Sequence, residues 1–161
     1  MPNMAQAPTA DWGITVVGER QHTVRADDVT EATLTTGRVR VSCASGDRYD
    51  ATWRGVGVGD LLDGASPPAE TTHLVFESDS GYAACVPVGD AIGGLVAVER
   101  DGEALAEDES YATRFVAPGV DGARFVKGVE RIRALSLPPE ADPTEYENLD
   151  LDSPEYEKTD A

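Results

Sequence analysis

The chain has 161 residues, 40% hydrophobic and 6% aromatic, enough for one core filled mainly by Val, Ala and Leu. Its 30 acidic residues against 13 basic ones leave a formal charge of −17, and its only lysines are Lys127 and Lys158. Such a balance excludes nucleic acid and anionic membrane surfaces as partners, and arginine in place of lysine on an acidic surface is the composition of a salt-rich cytosol, where ionic strength screens self-repulsion.

Residues 1–10 are small, polar and proline-containing, and are expected to be loose. "MPNMAQAPTADWG" has no basic region, apolar stretch or twin arginine, so no export signal is read and the cytoplasm is the expected location. "WGITVVG" and "HTVRA" read as strands joined at Gly18–Gln21, and "ADDVTEA" gives at most one helical turn. "ATLTTGRVRVSCA" gives two strand pieces around Thr36-Gly37, with Val39 and Val41 facing in and Arg38 and Arg40 facing out. "VGDLLDGA" is a short helix that Gly64 would end. "THLVFES" and "YAACVPV" are strands split by Asp79-Ser80-Gly81, and Asp101-Gly102 in "LVAVERDGEAL" is a hairpin signal. "TRFVAPG", "ARFVKG" and "VERIRALSL" supply the last strands, punctuated by Pro118-Gly119 and Asp121-Gly122. With no βαβ repeat, the expectation is an α+β, mainly β domain over residues 11–137, its mixed sheets joined by short helices.

From Pro138 onward the sequence carries nine acidic residues, one lysine and four prolines. A segment of that composition cannot bury enough apolar surface to offset its ordering entropy, so residues 138–161 read as a disordered acidic tail. Its Tyr146, Leu149, Leu151 and Tyr156 are the side chains with which it could dock a partner.

Few residue sets could carry chemistry. His22, beside a turn, and His73, at a strand start, lie in no nucleophile motif, and no CxxC, HExxH, Walker or GxGxxG pattern occurs. Without an export signal, Cys43 and Cys85 are expected as free thiols; a bridge between them stays open if both lie under one sheet. Cys43 is the more suggestive of the two. It falls where an alternating strand meets the polar Ser45-Gly46-Asp47, with Arg40, Arg48 and Arg54 within eleven residues. Nearby positive charge favours a thiolate, which is both nucleophile and soft-metal ligand. A second cationic run, Arg124, Lys127, Arg131 and Arg133, follows Gly119 and Gly122, whose backbone N–H groups could approach an anion. Together these point to an anionic ligand near a thiolate, against the alternative of a solvated strand face and a buried filler.

The order of segments resembles the molybdopterin-binding oxidoreductase domain of the sulfite oxidase-like family. "DWGITVVGERQHTVRADDV" is similar to its opening Trp-x-(apolar)-x-(apolar)-x-Gly strand, and "VRVSCASG" to the strand ending in its molybdenum-ligating cysteine. "TWRGVGVGDLLDGA" resembles its Trp-x-Gly-Val-x-(apolar)-x-Asp-Leu-Leu segment. "THLVFESDSGYAACVPVGDA" and "GLVAVERDGEAL" follow in order, and "TRFVAPGVDGARFVKGVERIRAL" resembles the closing Pro-Gly…Gly-x-Arg-x-x-Lys segment, with Gly128 where the family often has Trp. The likeness runs over residues 12–137.

This resemblance implies a molybdopterin cofactor and oxygen-atom transfer to or from a small oxyanion or sulfoxide-like substrate, with an electron-transfer or pocket-completing protein as partner. Cys43 would ligate molybdenum, its other sulfur ligands coming from the pterin dithiolene. Arg124 and Lys127, with backbone around Gly122, would contact the anionic pterin or its phosphate, and Arg48 and Arg54 would face the oxyanion. Trp53, Gly55 and Leu61-Leu62 would be structural, through core packing and a tight strand-to-helix turn, and Cys85 a buried filler. The other reading is a cofactor-free binding or accessory module on the same fold.

Overall fold

The computed structural model describes residues 12–42 and 48–149. Strands β1 (Gly13–Val17) and β2 (Gln21–Arg25) form the first hairpin, with Ile14 and Val16 fully buried. Two single-turn 3-10 helices, Ala26–Asp28 and Glu31–Thr33, lead to β3 (Thr35–Ser42). This strand is continuous through Thr36-Gly37 rather than split there, and Val39 and Val41 face in as expected.

β4 (Arg48–Gly57) is the element that the sequence pattern concealed. Its arginines, Asp50 and two glycines read as turn and surface, yet Ala51 and Trp53 alternate into a core. It pairs with β3 on one side and with β7 (Leu95–Arg100) on the other. Gly55 therefore lies inside a strand, where the sequence placed a strand-to-helix turn. A Cβ on Gly55 would come within 2.0 Å of the Val96 carbonyl oxygen, so the residue is set by close approach of two backbones.

Helix α1 (Val58–Ala65) buries Val58, Leu61, Leu62 and Ala65. It stops at Ser66, which adopts a left-handed φ of 51°, rather than at Gly64. Gly64 lies within the helix, and the His22 ring packs on it, 2.3 Å from where a Cβ would stand, so the position has no room for a side chain. That contact gives His22 a packing role.

The remaining elements are β5 (His73–Ser78), β6 (Ala83–Pro87), the single-turn α2 (Val88–Ala91), β8 (Glu103–Ala104), the single-turn α3 (Leu105–Asp108), β9 (Arg114–Val116) and β10 (Val129–Leu135). Asp101 and Gly102, at φ 52° and 90°, make the two-residue turn between β7 and β8 that the Asp-Gly pair signals. "ARFVKG" does not form a strand; Gly122–Arg124 is a 3-10 turn, and an isolated bridge joins Lys127 to Arg114.

The first sheet runs β2-β1-β10-β5-β6, with β1 and β10 parallel and the other pairs antiparallel. The second runs β3-β4-β7-β8, with β9 also on β7. The α+β, mainly β expectation with mixed sheets and short helices therefore holds. The larger core lies where the sheets meet, joining Ile14, Leu74, Phe76 and Ile132 to Val56, Val96 and Phe115. The other face of the second sheet covers Val39, Val41, Trp53, Leu105 and Phe125. β7 and β9 are thus buried on both faces, which is why "LVA" reads as an unbroken apolar run and all three residues of "RFV", Arg114 included, are buried.

Residues 138–149, expected as the start of a disordered tail, lie on the body instead. A 3-10 turn over Pro143–Tyr146 opens with Asp142 accepting from the Thr144 N–H at 3.0 Å. Asn148 then bridges to Ala83 on the edge strand β6, and Leu149 packs on the main core. Charge counting missed this because one of the acids, Glu147, meets a specific cation and because an open sheet edge accepts another strand. Residues 150–161, with Leu151 and Tyr156, lie outside the described part, as do residues 1–10, expected to be loose, and Cys43. Among the described residues, no helix is long and apolar enough to cross a membrane.

Candidate functional site

The hairpin of β3 and β4 presents the ends to which Cys43 is tethered. Ser42 pairs with Arg48 and Val41 with Tyr49, so the five residues 43–47 connect two adjacent strand ends. Arg48 is exposed at that end. Arg54 is six residues further along β4, about 20 Å away at strand rise, and its guanidinium reaches Glu99 on β7 at 3.5 Å. The structure does not bring these two arginines together. Arg38 and Arg40 flank Asp50 across the hairpin, Arg40 Nε donating to it at 3.0 Å. The Arg40 hydrogen bond holds the Asp50 carboxyl below its usual range, so this cationic run is largely a paired, solvent-facing strand surface.

Behind that face stands a cluster that the sequence did not reveal. The guanidinium carbons of Arg100 and Arg114 each lie 5.9 Å from the Trp53 ring centroid. Trp53 is fully buried and donates its Nε1–H to the Val39 carbonyl at 3.4 Å. Arg114, only 7% exposed, donates Nε to the Phe125 carbonyl at 3.1 Å. Arg100 donates to Glu109 at 3.1 Å, and Lys127 Nζ lies 5.9 Å from the Tyr111 ring centroid. Burial pushes the Tyr111 phenol above its ordinary range, with the nearby Arg114 charge opposing. The sequence signal for this cluster is limited to Arg100 and Arg114 at the ends of expected strands, because Trp53 lies on the concealed β4 and Tyr111 outside every described strand.

Two adjoining clefts open beside it, sharing Asp79, Glu109, Ser110, Tyr111 and Gly128. One, of about 710 Å³, also reaches Trp12, Arg25, Thr113 and Glu130. The other, of about 330 Å³, is lined by Ser78, Ser80, Tyr82 and Lys127. Lys127 therefore borders a cavity. Gly128, with φ 75°, occupies the left-handed region in which glycine is favoured over Trp.

Gly122 and Arg124 occupy the 3-10 turn that follows Asp121, and the Tyr82 hydroxyl donates to the Ala123 carbonyl in its middle. Here the sequence expectation meets a complication. Arg124 donates Nε and Nη2 to the two oxygens of Glu147, both at 2.7 Å, and Nη1 to Asp121 at 2.9 Å. The Glu147 hydrogen bonds raise the already high affinity of this guanidinium for its proton. Arg131 and Arg133, the rest of the second cationic run, both face Glu77 across β5, at 3.8 and 3.1 Å.

Cys85 is a free thiol, 4% exposed, packed with Val75 and Ala83 on β5 and β6. Burial first, then the Glu147 carboxylate, pushes it up from an ordinary 9.0 to about 11. Two consequences follow from that shift. The folded chain should resist alkylation at Cys85 at neutral pH, and react there once unfolded. Because the raised value favours the protonated folded form, this contribution to stability is complete below 9.0 and lost as pH rises through about 11, which alkylation rates and urea midpoints across that window would read.

The oxidoreductase molybdopterin-binding domain matches residues 2–141 of the chain. Sulfite oxidase from Gallus gallus is 34% identical over 113 residues, 62% of this chain and 24% of that protein. The NADPH nitrate reductase of Fusarium oxysporum is 29% identical over 97 residues, 55% of this chain and 11% of that one. The chain thus spans about a quarter or less of the length of these relatives. Among solved structures, the sulfane dehydrogenase SoxCD of Paracoccus pantotrophus matches with a TM-score of 0.70 over 81% of this chain and 39% of its own, at 22% identity, a likeness of fold. A family match across nearly the whole described body, on the fold its sheets display, makes this chain a member of the molybdopterin-binding oxidoreductase domain family, related to sulfite oxidase.

Proposed function

We propose that the chain is a molybdopterin-dependent oxidoreductase domain acting on a small oxyanion or sulfoxide-like substrate, with Cys43 as the protein ligand to molybdenum. The observation that carries this reading is the family match, which runs unbroken across the β3–β4 hairpin and the Gly122–Lys127 segment. The donor set suits a phosphorylated pterin in part. Lys127 offers an ammonium and the mutually bonded Ser78–Ser80 hydroxyl pair borders the same cleft, although the Tyr82 hydroxyl is given to the Ala123 carbonyl and Asp79 and Glu109 share the rim. Arg124 suits a phosphate by its fork, but only after Glu147 has left it. When bound, the molybdenum–pterin group would supply two-electron oxygen-atom exchange. The chain's own part is to hold it and to exclude misfit substrates. Arg48, exposed beside the tether of Cys43, is the better placed of the two candidate arginines to face an incoming oxyanion; Arg54 is drawn to Glu99. A redox partner meeting a chain of charge −17 would present a basic surface.

A cofactor-free module on the same fold is the second reading, favoured by the engagement of Arg124. The two separate on purification at high salt from a host that makes the molybdenum cofactor. Stoichiometric molybdenum and pterin are expected with the native chain, and loss of both with Cys43→Ser; the cofactor-free reading instead expects folded, metal-free native protein and a Cys43→Ser variant of nearly unchanged thermal stability. Metal-free native protein under those conditions would overturn the enzyme reading.

A further inference from the structure

Glu147 is a carboxylate placed as an external anion would be. Its side chain is 5% exposed, and both oxygens are used: Oε1 accepts from Arg124 Nη2, while Oε2 accepts from Arg124 Nε at 2.7 Å and from the Cys85 N–H at 2.8 Å. A two-oxygen acceptor on a guanidinium fork is the arrangement a phosphate monoester takes on the same arginine. What holds Glu147 there is local. Asn148 exchanges two backbone hydrogen bonds with Ala83, at 2.8 and 3.1 Å, and Leu149 covers part of the core. None of the ten strands lies in this segment, so it can open while both sheets stay intact.

We propose that residues 142–149 form a latch in which Glu147 occupies Arg124 until an oxyanion group displaces it, so that loading of the anion site and release of the segment from β6 are one event. This rests on the reading that Arg124 contacts the anionic part of the cofactor. The latch makes the arginine a conditional site. With the segment closed, Arg124 is neutralised and its fork is filled; with an oxyanion bound, Glu147 leaves, the Cys85 N–H loses its acceptor, and the edge of β6 is uncovered. A segment closed about nine-tenths of the time would weaken oxyanion binding by about tenfold.

Inorganic phosphate is the probe, titrated into the full-length cofactor-free chain against chloride at equal ionic strength. E147Q keeps the shape and the Cys85 hydrogen bond but lacks the charge. It should bind phosphate about tenfold more tightly than the native chain. In the native chain, phosphate should speed hydrogen exchange at the Ala83 and Asn148 amides and raise alkylation of Cys85, located by peptide mass. Equal phosphate affinity in the native chain and E147Q, lost in Arg124→Gln, would leave the anion site standing and overturn the latch. Phosphate binding indifferent to Arg124→Gln would overturn both. Unchanged exchange at Ala83 and Asn148 under saturating phosphate would also overturn the latch, without recourse to any variant.

Discussion

Phe115→Ala should destabilise the domain by about 3–5 kcal/mol, a large fraction of the 5–15 kcal/mol that a typical domain has in all. Phe115 is fully buried on the three-residue strand β9, and its ring stacks on Phe76 of the opposite sheet with centroids 3.9 Å apart and planes 15° from parallel. Its edge meets Phe125 at 6.3 Å and 72°. This one side chain therefore touches the main core, the second sheet and the approach to the Gly122–Arg124 turn. The surrounding strands are hydrogen-bonded on both sides and cannot collapse into the void. Urea unfolding of the variant would read the loss as a lower midpoint at unchanged slope, and a cost below about 1.5 kcal/mol would show that the sheets can close over the gap.

Gly55→Ala should be nearly as damaging, by about 3 kcal/mol or more, although alanine suits a strand better than glycine does. The added methyl would stand 2.0 Å from the Val96 carbonyl oxygen and 2.5 Å from the Ala97 Cα. Both obstacles are backbone in a central strand at a register shift, so neither can swing aside. Gly59 in α1 is the contrast: its nearest neighbour is the Ile92 side chain at 3.7 Å, and Gly59→Ala should stabilise by up to about 1 kcal/mol. Thermal melts of the two variants should shift in opposite directions. The same sign for both would mean that the close approach at Gly55 relaxes freely.

Alternation and turn chemistry made most elements legible. The β1–β2 hairpin, β3, α1, β5, β6, the Asp101-Gly102 turn and β10 can each be read from the residues that form them. β4 was hidden because its inward positions are an alanine, a tryptophan and a glycine between charged residues, and because the need for Gly55 arises only when β7 is laid beside it. The Arg124–Glu147 pair was illegible for a different reason. Its partners are 23 residues apart, and nothing local distinguishes Glu147 from the acids around it. The proposed role of Cys43 rests on the order of the segments; residue types and spacing alone leave the buried-filler reading ahead. The cluster of Arg100, Arg114 and Lys127 with Trp53 and Tyr111 depends on the packing of the second sheet, which no single window contains.

The parallel pairing of β1 with β10 has a consequence for biosynthesis. Thr15 on β1 lies against Arg131 on β10, so β1, made before every other described strand, waits for the last of them before its central neighbour exists. In the other sheet β3 and β4 are consecutive, and β7 through β9 follow within a short stretch. Vectorial synthesis thus favours completing that half early, while the β1–β2 hairpin and the β5–β6 pair stay apart until residues 129–135 emerge and zip between them. The emerging chain would expose its apolar Ile14, Val16 and Phe76 faces throughout that interval, which makes chaperone contact during translation a property of the strand order itself.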